Sequence, residues 1–212
     1  MGVENFENKR WGGGDQKTVF RHREALSLID AGKVLDVGCG DGLFLEMLKQ
    51  GGIEAVGVDI SEEGIKKCKA KNLEVSLCDL SAGKLPFSDG EFDYVVMLDV
   101  LEHLYFPEQL LREAKRVSKK YVVISVPNFS SLPARIQTVL GNVPENNRSN
   151  KGHVFWFNYI VLKKMIKNTG LSVSALSANT FWESTILTKL LAKIYPSLFA
   201  LSFVVRLEKI TG

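Results

Sequence analysis

Cysteine is scarce in this chain: three in 212 residues (Cys39, Cys68 and Cys78), with no C-x-x-C pair. The low, odd count excludes a disulfide framework and a thiolate zinc cluster, and points to reduced intracellular thiols. A large excess of one charge is also missing. The formal net charge is +3, short of the basic stripe that nucleic-acid binding demands. Lys119, Lys120, Arg135, Arg148 and Lys151 read as ordinary solvated surface. Long apolar runs are absent as well. The opening MGVENFENKRWGGGDQ has no apolar core for a signal peptide. The most apolar late stretch, from Ile186 to Val205, is broken by Lys189, Lys193 and Pro196, which argues against a membrane span. A cytoplasmic protein is expected. No internal repeat and no low-complexity tract is found.

What is present is an ordinary globular mix, 45% hydrophobic and 24% charged, in a length suited to one substantial core. Residues 1–212 read as a single domain. Short Val/Ile/Leu runs alternate with helical patterns. Strands are expected at 33–38, 54–60, 73–80, 92–99 and 121–128. Helices are expected from about Thr18 to Asp30 and at 43–50, 62–72 and 107–118. Ser61 is placed to cap the helix from 62, and Pro107 to open the helix from 107. Near-continuous apolar strands predict a parallel sheet covered on both faces, a three-layer α/β fold. A helix at 158–170, strands at 171–178 and 198–209, and a helix near 183–194 predict an antiparallel C-terminal edge on a seven-stranded sheet. Residues 1–24 read as a lid or mobile segment that includes Trp11, Arg21 and His22. Residues 129–152 read as irregular.

The stretch VLDVGCGDG places Gly38, Gly40 and Gly42 where the first strand runs into a helix. Glycines there permit a sharp turn and close approach of a ligand. A dinucleotide fingerprint asks for glycine at position 43, where Leu43 stands, which argues against that cofactor. Asp59 and Asp79 follow at the ends of the second and third strands, and Asp36 lies within the first. Carboxylates at adjacent strand ends converge on the crevice where open α/β sheets bind ligands.

With VLDVGCGDG, VGVDIS, LCDL and LPFSDGEFDYVVMLDVLEHL in this order, the sequence resembles class I S-adenosylmethionine-dependent methyltransferases of type 11. Its SVPNFSSLPARIQTVL is similar to the MetW family of methionine biosynthesis. The specific part covers about residues 25–128, and a looser part extends to 178. The resemblance implies a Rossmann-like methyltransferase sandwich that binds S-adenosylmethionine and releases S-adenosylhomocysteine. It assigns Asp36, Gly38, Cys39, Gly40 and Gly42 to the methionine portion, Asp59 to the ribose hydroxyls and Asp79 to the adenine amino group. Leu80 and Ile60 would cover the ring, and Leu98 would bound the pocket. The implied reaction is methyl transfer to a small molecule, at oxygen. Two other functions are kept: a MetW-like cofactor-binding partner of a methionine-pathway acyltransferase, and a peripheral lipid or quinone methyltransferase. Peripheral membrane contact and a homodimer both remain open.

MLDVLEHL emerges from the same sheet edge. If helical, Asp99, Glu102 and His103 share one face. His103 is then a candidate general base for a hydroxyl or thiol acceptor. Alternatively, Asp99, Glu102 and His103 join His153 of KGHVFWFN around a divalent metal. Some related methyltransferases hold a metal in similar E-x-x-E-H patterns, with Glu where Asp99 stands here. In a third reading Glu102 and His103 only pair with loop backbone or with Arg112. The insert 129–157 and its surroundings would bind the acceptor through His153, Trp156 and Tyr159. A second aromatic pair is Phe181–Trp182. The N/D-P-P-aromatic motif of DNA amino-methylating enzymes is absent.

Overall fold

The computed structural model describes residues 3–11, 19–180 and 186–210. In chain order the elements are α1 Val3–Trp11, α2 Phe20–Ser27, β1 Val34–Val37, α3 Leu43–Gln50, β2 Ala55–Asp59, α4 Glu62–Ala70, β3 Val75–Leu77, β4 Phe92–Leu98 and α5 Pro107–Val117. They continue with β5 Ser118–Pro127, α6 Leu132–Val139, α7 Tyr159–Asn168, β6 Leu171–Thr180, α8 Ile186–Ile194, α9 Pro196–Phe199 and β7 Ala200–Lys209. Among the described residues no helix is long and apolar enough to cross a membrane.

One seven-stranded sheet has the order β3-β2-β1-β4-β5-β7-β6. Pairs among β1 to β5 are parallel, whereas β7 runs antiparallel to both β5 and β6. The antiparallel edge is thus present, with the last strand one position inside it. All of β1 is buried, as a strand covered on both faces must be. Leu35, Val37, Val95, Met97, Val122 and Ile124 pack with Leu110 and Leu111 of α5 and Leu162 of α7. Their alternates Val34, Tyr94, Val96 and Val123 pack with Ala25 of α2 and Phe44 and Leu48 of α3. The period of two therefore feeds two apolar layers from one set of strands.

Local signals act as expected at several ends. Ser61 Oγ accepts from the Gly64 N–H at 3.1 Å, Pro107 opens α5, and Asn158 Oδ1 accepts from the N–H groups of Ile160 and Val161. At the N-terminus Val3–Trp11 is a helix, and Trp11 is 9% exposed. It is fastened by tertiary contact, with Ser61 Oγ donating to Asn8 Oδ1 at 2.8 Å. The insert is corrected, since it contains α6, although α6 buries none of its side chains. β3 is shorter than expected because the chain turns at Asp79, whose carboxylate accepts from the Ser81 N–H and Oγ. Residues 12–18 and the pair Phe181–Trp182 lie outside the described residues.

Asn128 joins the end of β5 to the start of β7. It is fully buried; its Nδ2 donates to Ser197 O and Ala200 O, and its N–H donates to Leu201 O. Asn128→Ala removes a donor from the buried Ala200 carbonyl and from the part-buried Ser197 carbonyl, and is expected to cost about 2 kcal/mol. Urea unfolding measures this; a change within a few tenths would show that the junction does not depend on the amide.

Candidate cofactor and acceptor site

Parallel register brings the carboxyl ends of β1, β2, β3 and β4 to one edge. The N–H groups of Gly38 and Cys39 both donate to Val58 O, folding the β1 exit over the end of β2. Gly40 N–H donates to Asp59 Oδ2 at 2.8 Å, and Ser61 N–H donates to Asp59 Oδ1 at 2.8 Å. One carboxylate thus fastens the glycine loop to the cap of α4. Gly40 has φ +55°, and a Cβ there would lie 2.4 Å from the Trp11 ring, so no side chain fits. A glycine not anticipated from the sequence completes this packing. A Cβ on Gly64 would stand 2.6 Å from Gly40 O; its signal was present, a glycine three residues after a helix-capping serine.

Above the loop lies a cavity of about 320 Å³. Asp36, Gly38, Cys39, Asp59, Ile60, Asp79, Leu80 and Leu98 line it, as the sequence placed them, whereas Gly40 and Gly42 shape the loop beneath. Glu7, Arg10, Trp11 and His22 line it as well, so α1 and α2 form its N-terminal wall. Asp36 is buried, and its Oδ2 has no hydrogen-bond partner. Burial, with the Asp59 charge close by, pushes the Asp36 carboxyl up to about 8. Burial raises Asp59 and Glu7 also. Burial and nearby arginines hold His22 and His103 down at about 4, so both are neutral at pH 7. Poorly solvated acids beside neutral imidazoles suit a ligand that brings positive charge and hydroxyl donors.

The β4 exit differs from the expected helix. Asp99 adopts φ +55°, and only Leu101–His103 form a single 3-10 turn. A left-handed residue breaks the period, so Asp99, Glu102 and His103 do not share a face. Asp99 Oδ1 accepts from Ser125 Oγ, and Oδ2 lies 3.2 Å from Arg21 Nη1. Asp99 and His103 line the cavity, while Glu102 is buried behind it. The ligand atoms that converge to within 4.8 Å belong to Glu102, His103 and His153; Asp99 is outside that group. Arg112 instead donates to Asn168 O. Trp156 is exposed and Tyr159 packs at a tilt against Phe203; neither they nor His153 lines the cavity. At the mouth stand the exposed Tyr105 and Phe106, which the sequence reading did not single out.

Comparison with known proteins follows the same outline. Residues 21–169 match the family model described as methionine biosynthesis protein MetW. The ubiquinone biosynthesis O-methyltransferase of Methylococcus capsulatus is 36% identical over 115 residues, 51% of this chain and 48% of that protein. The bifunctional methionine biosynthesis protein MetXA/MetW of Rhodopirellula baltica is 31% identical over 115 residues, 50% of this chain and 18% of that protein. The aligned part thus spans about half of the first relative and less of the second. Magnesium protoporphyrin IX methyltransferase from Synechocystis, solved with bound S-adenosylhomocysteine, superposes with a TM-score of 0.68. It covers 98% of each chain at 18% identity, a likeness of fold.

A carboxyl held near 8 when folded binds its proton more tightly than in the unfolded chain. The resulting stability is complete below about pH 4 and is lost as pH rises through about 8. Ligand-free protein is therefore expected to lose stability between these limits, by up to about 1.4 kcal/mol per pH unit from this group. Asp36→Asn should remove that share. Urea unfolding of both proteins at several pH values checks it, and identical slopes would refute it.

Proposed function

The chain belongs to the MetW family, and from that premise we propose that it binds S-adenosylmethionine and transfers its methyl group to a small-molecule acceptor at oxygen. The buried, unpartnered Asp36 carboxylate beside Asp59 and Asp79 carries this reading. S-adenosylmethionine supplies an electrophilic methyl on a sulfonium, together with a cationic ammonium, two ribose hydroxyls and an adenine. Asp36 and the Gly38–Gly42 loop meet the ammonium end. Each Asp59 oxygen accepts one backbone N–H and keeps a lone pair for a ribose hydroxyl. Asp79 accepts from the adenine amino group, with Leu80 and Ile60 against the ring and Leu98 as the wall.

The acceptor enters past Tyr105 and Phe106 and stops beside Asp99 and His103. Alignment of the acceptor with the S–CH₃ bond is the main contribution of the protein. Neutral His103 suits an oxygen acceptor, because a hydroxyl must give up its proton to a base at that end, and a neutral imidazole keeps a lone pair to take it. A second reading is favoured by the likeness to the MetXA/MetW protein: the chain is a cofactor-binding partner of a methionine-pathway acyltransferase.

Calorimetry is expected to give one S-adenosylmethionine per chain, and Asp59→Ala should weaken binding about tenfold or more, ~1.4 kcal/mol. No binding, or equal affinity in the variant, would sink the cofactor assignment. A screen of hydroxylated acceptors read by S-adenosylhomocysteine release separates the two readings. Release marks an enzyme; inactivity with a stable complex on the purified acyltransferase marks the partner.

A further inference from the structure

The functional edge of the sheet does not end at β4. Beyond it lies a second cavity of about 460 Å³, lined by Phe20, Arg21 and Arg23 of α2, by Asp99, and by Asn179 and Ser202. Ser202 of β7 pairs with Pro127 at the end of β5 and with Asn179 of β6. The cavity therefore continues the cofactor edge past β4 toward the antiparallel side. Arg21 and Asp99 line both cavities, so their ion pair forms the wall between them.

Charge in this second space is unbalanced. Asp99 is the only acid among the described residues that line it, and Ser125 and Arg21 already engage that carboxylate. Arg21 carries five N–H donors. One of its Nη atoms faces Asp99, while Nε is buried without a hydrogen-bond partner. Arg23 is exposed and has no ion-pair partner among the described residues. Two guanidiniums against one spent carboxylate leave a net positive charge, in a space large enough for part of a small ligand. Asn179 and Ser202 add neutral donors. The cofactor cavity has the opposite character, with Glu7, Asp36, Asp59 and Asp79 on its walls. A cationic cofactor and an anionic partner are thus sorted to different ends of one edge.

We propose that the second cavity binds an anionic group, a carboxylate or a phosphate, carried by the methyl acceptor. Arg23 and the open donors of Arg21 meet it, because a guanidinium presents paired N–H groups that match the paired oxygens of either group. The acceptor lies across the Arg21–Asp99 wall, with its reacting oxygen beside His103 and its anion beside Arg23. That the anion belongs to the acceptor rests on the methyl-transfer reading; the anion site itself does not.

Ligand-observed NMR titration of the full-length protein uses two pairs of probes, lactate with lactamide and glycerol phosphate with glycerol. At least one acid should bind about tenfold tighter than its neutral counterpart, and the acid that does so identifies the group. Arg23→Gln should abolish that preference. Asn179→Asp, which puts a new carboxylate into the cavity, should abolish it too and serves if the first variant does not fold. Lys66→Gln, an exposed change that lines neither cavity, should keep it. Saturating S-adenosylhomocysteine should not displace the acid. Equal binding of acid and neutral probe by the parent overturns the site, as does a preference retained in Arg23→Gln and Asn179→Asp. An equal loss in Lys66→Gln marks general surface charge and also overturns it, and so does displacement by S-adenosylhomocysteine, which would put the acid in the cofactor cavity. Calorimetry with S-adenosylmethionine runs alongside, and Arg23→Gln should bind it as the parent does. Acid preference in a parent that binds no S-adenosylmethionine upholds the anion site and removes the methyl-transfer reading.

Discussion

The carboxylate of Asp59 holds the functional edge together. Its two oxygens take the N–H groups of Gly40 and Ser61, and so connect the glycine loop, the end of β2 and the cap of α4. Trp11 can lie on the loop because Gly40 has no side chain, and α4 can approach because Gly64 has none. Removing this carboxylate would leave two buried N–H groups competing for other partners. The cavity above is therefore a property of backbone geometry first and of its lining side chains second.

That geometry concentrates acids where solvation is poor. Asp36, Asp59 and Glu7 are all raised by burial, and His22 and His103 are held neutral. An empty site of this kind works against the stability of the fold; a cationic ligand relieves the cost. The β4 exit follows the same logic. Asp99 tolerates a left-handed backbone better than a bulky residue would, and in return its N–H and carboxylate both reach Ser125.

The central sheet was legible because its strands are apolar on both faces, and the loop was legible because three glycines meet three acids in a fixed order. Ser61 and Pro107 marked helix starts through local chemistry alone. Other features depend on distant partners. α1 is polar by composition and is held through Asn8 and Trp11 on residues distant in the chain, Ser61 and Gly40. α6 gives no amphipathic signal of burial because it buries nothing. The grouping of Asp99 with Glu102 and His103 failed for a different reason. A helical period was carried across a residue whose backbone is left-handed, which turns its side chain toward Arg21.

The position of β7 bears on how the chain is assembled during synthesis. β6 reaches the sheet only through β7, which the ribosome makes later. Until residues 200–209 emerge, β5 keeps an open edge from Tyr121 to Pro127, and β6 has no ladder to join. The strands of the cofactor edge, β1 to β4, pair with neither of them, although α2 of the cavity wall shares a core layer with Val204 of β7. The nascent chain can thus pair the strands of its ligand-binding half while the other half still presents an unpaired strand, the interval in which such an edge is open to wrong partners.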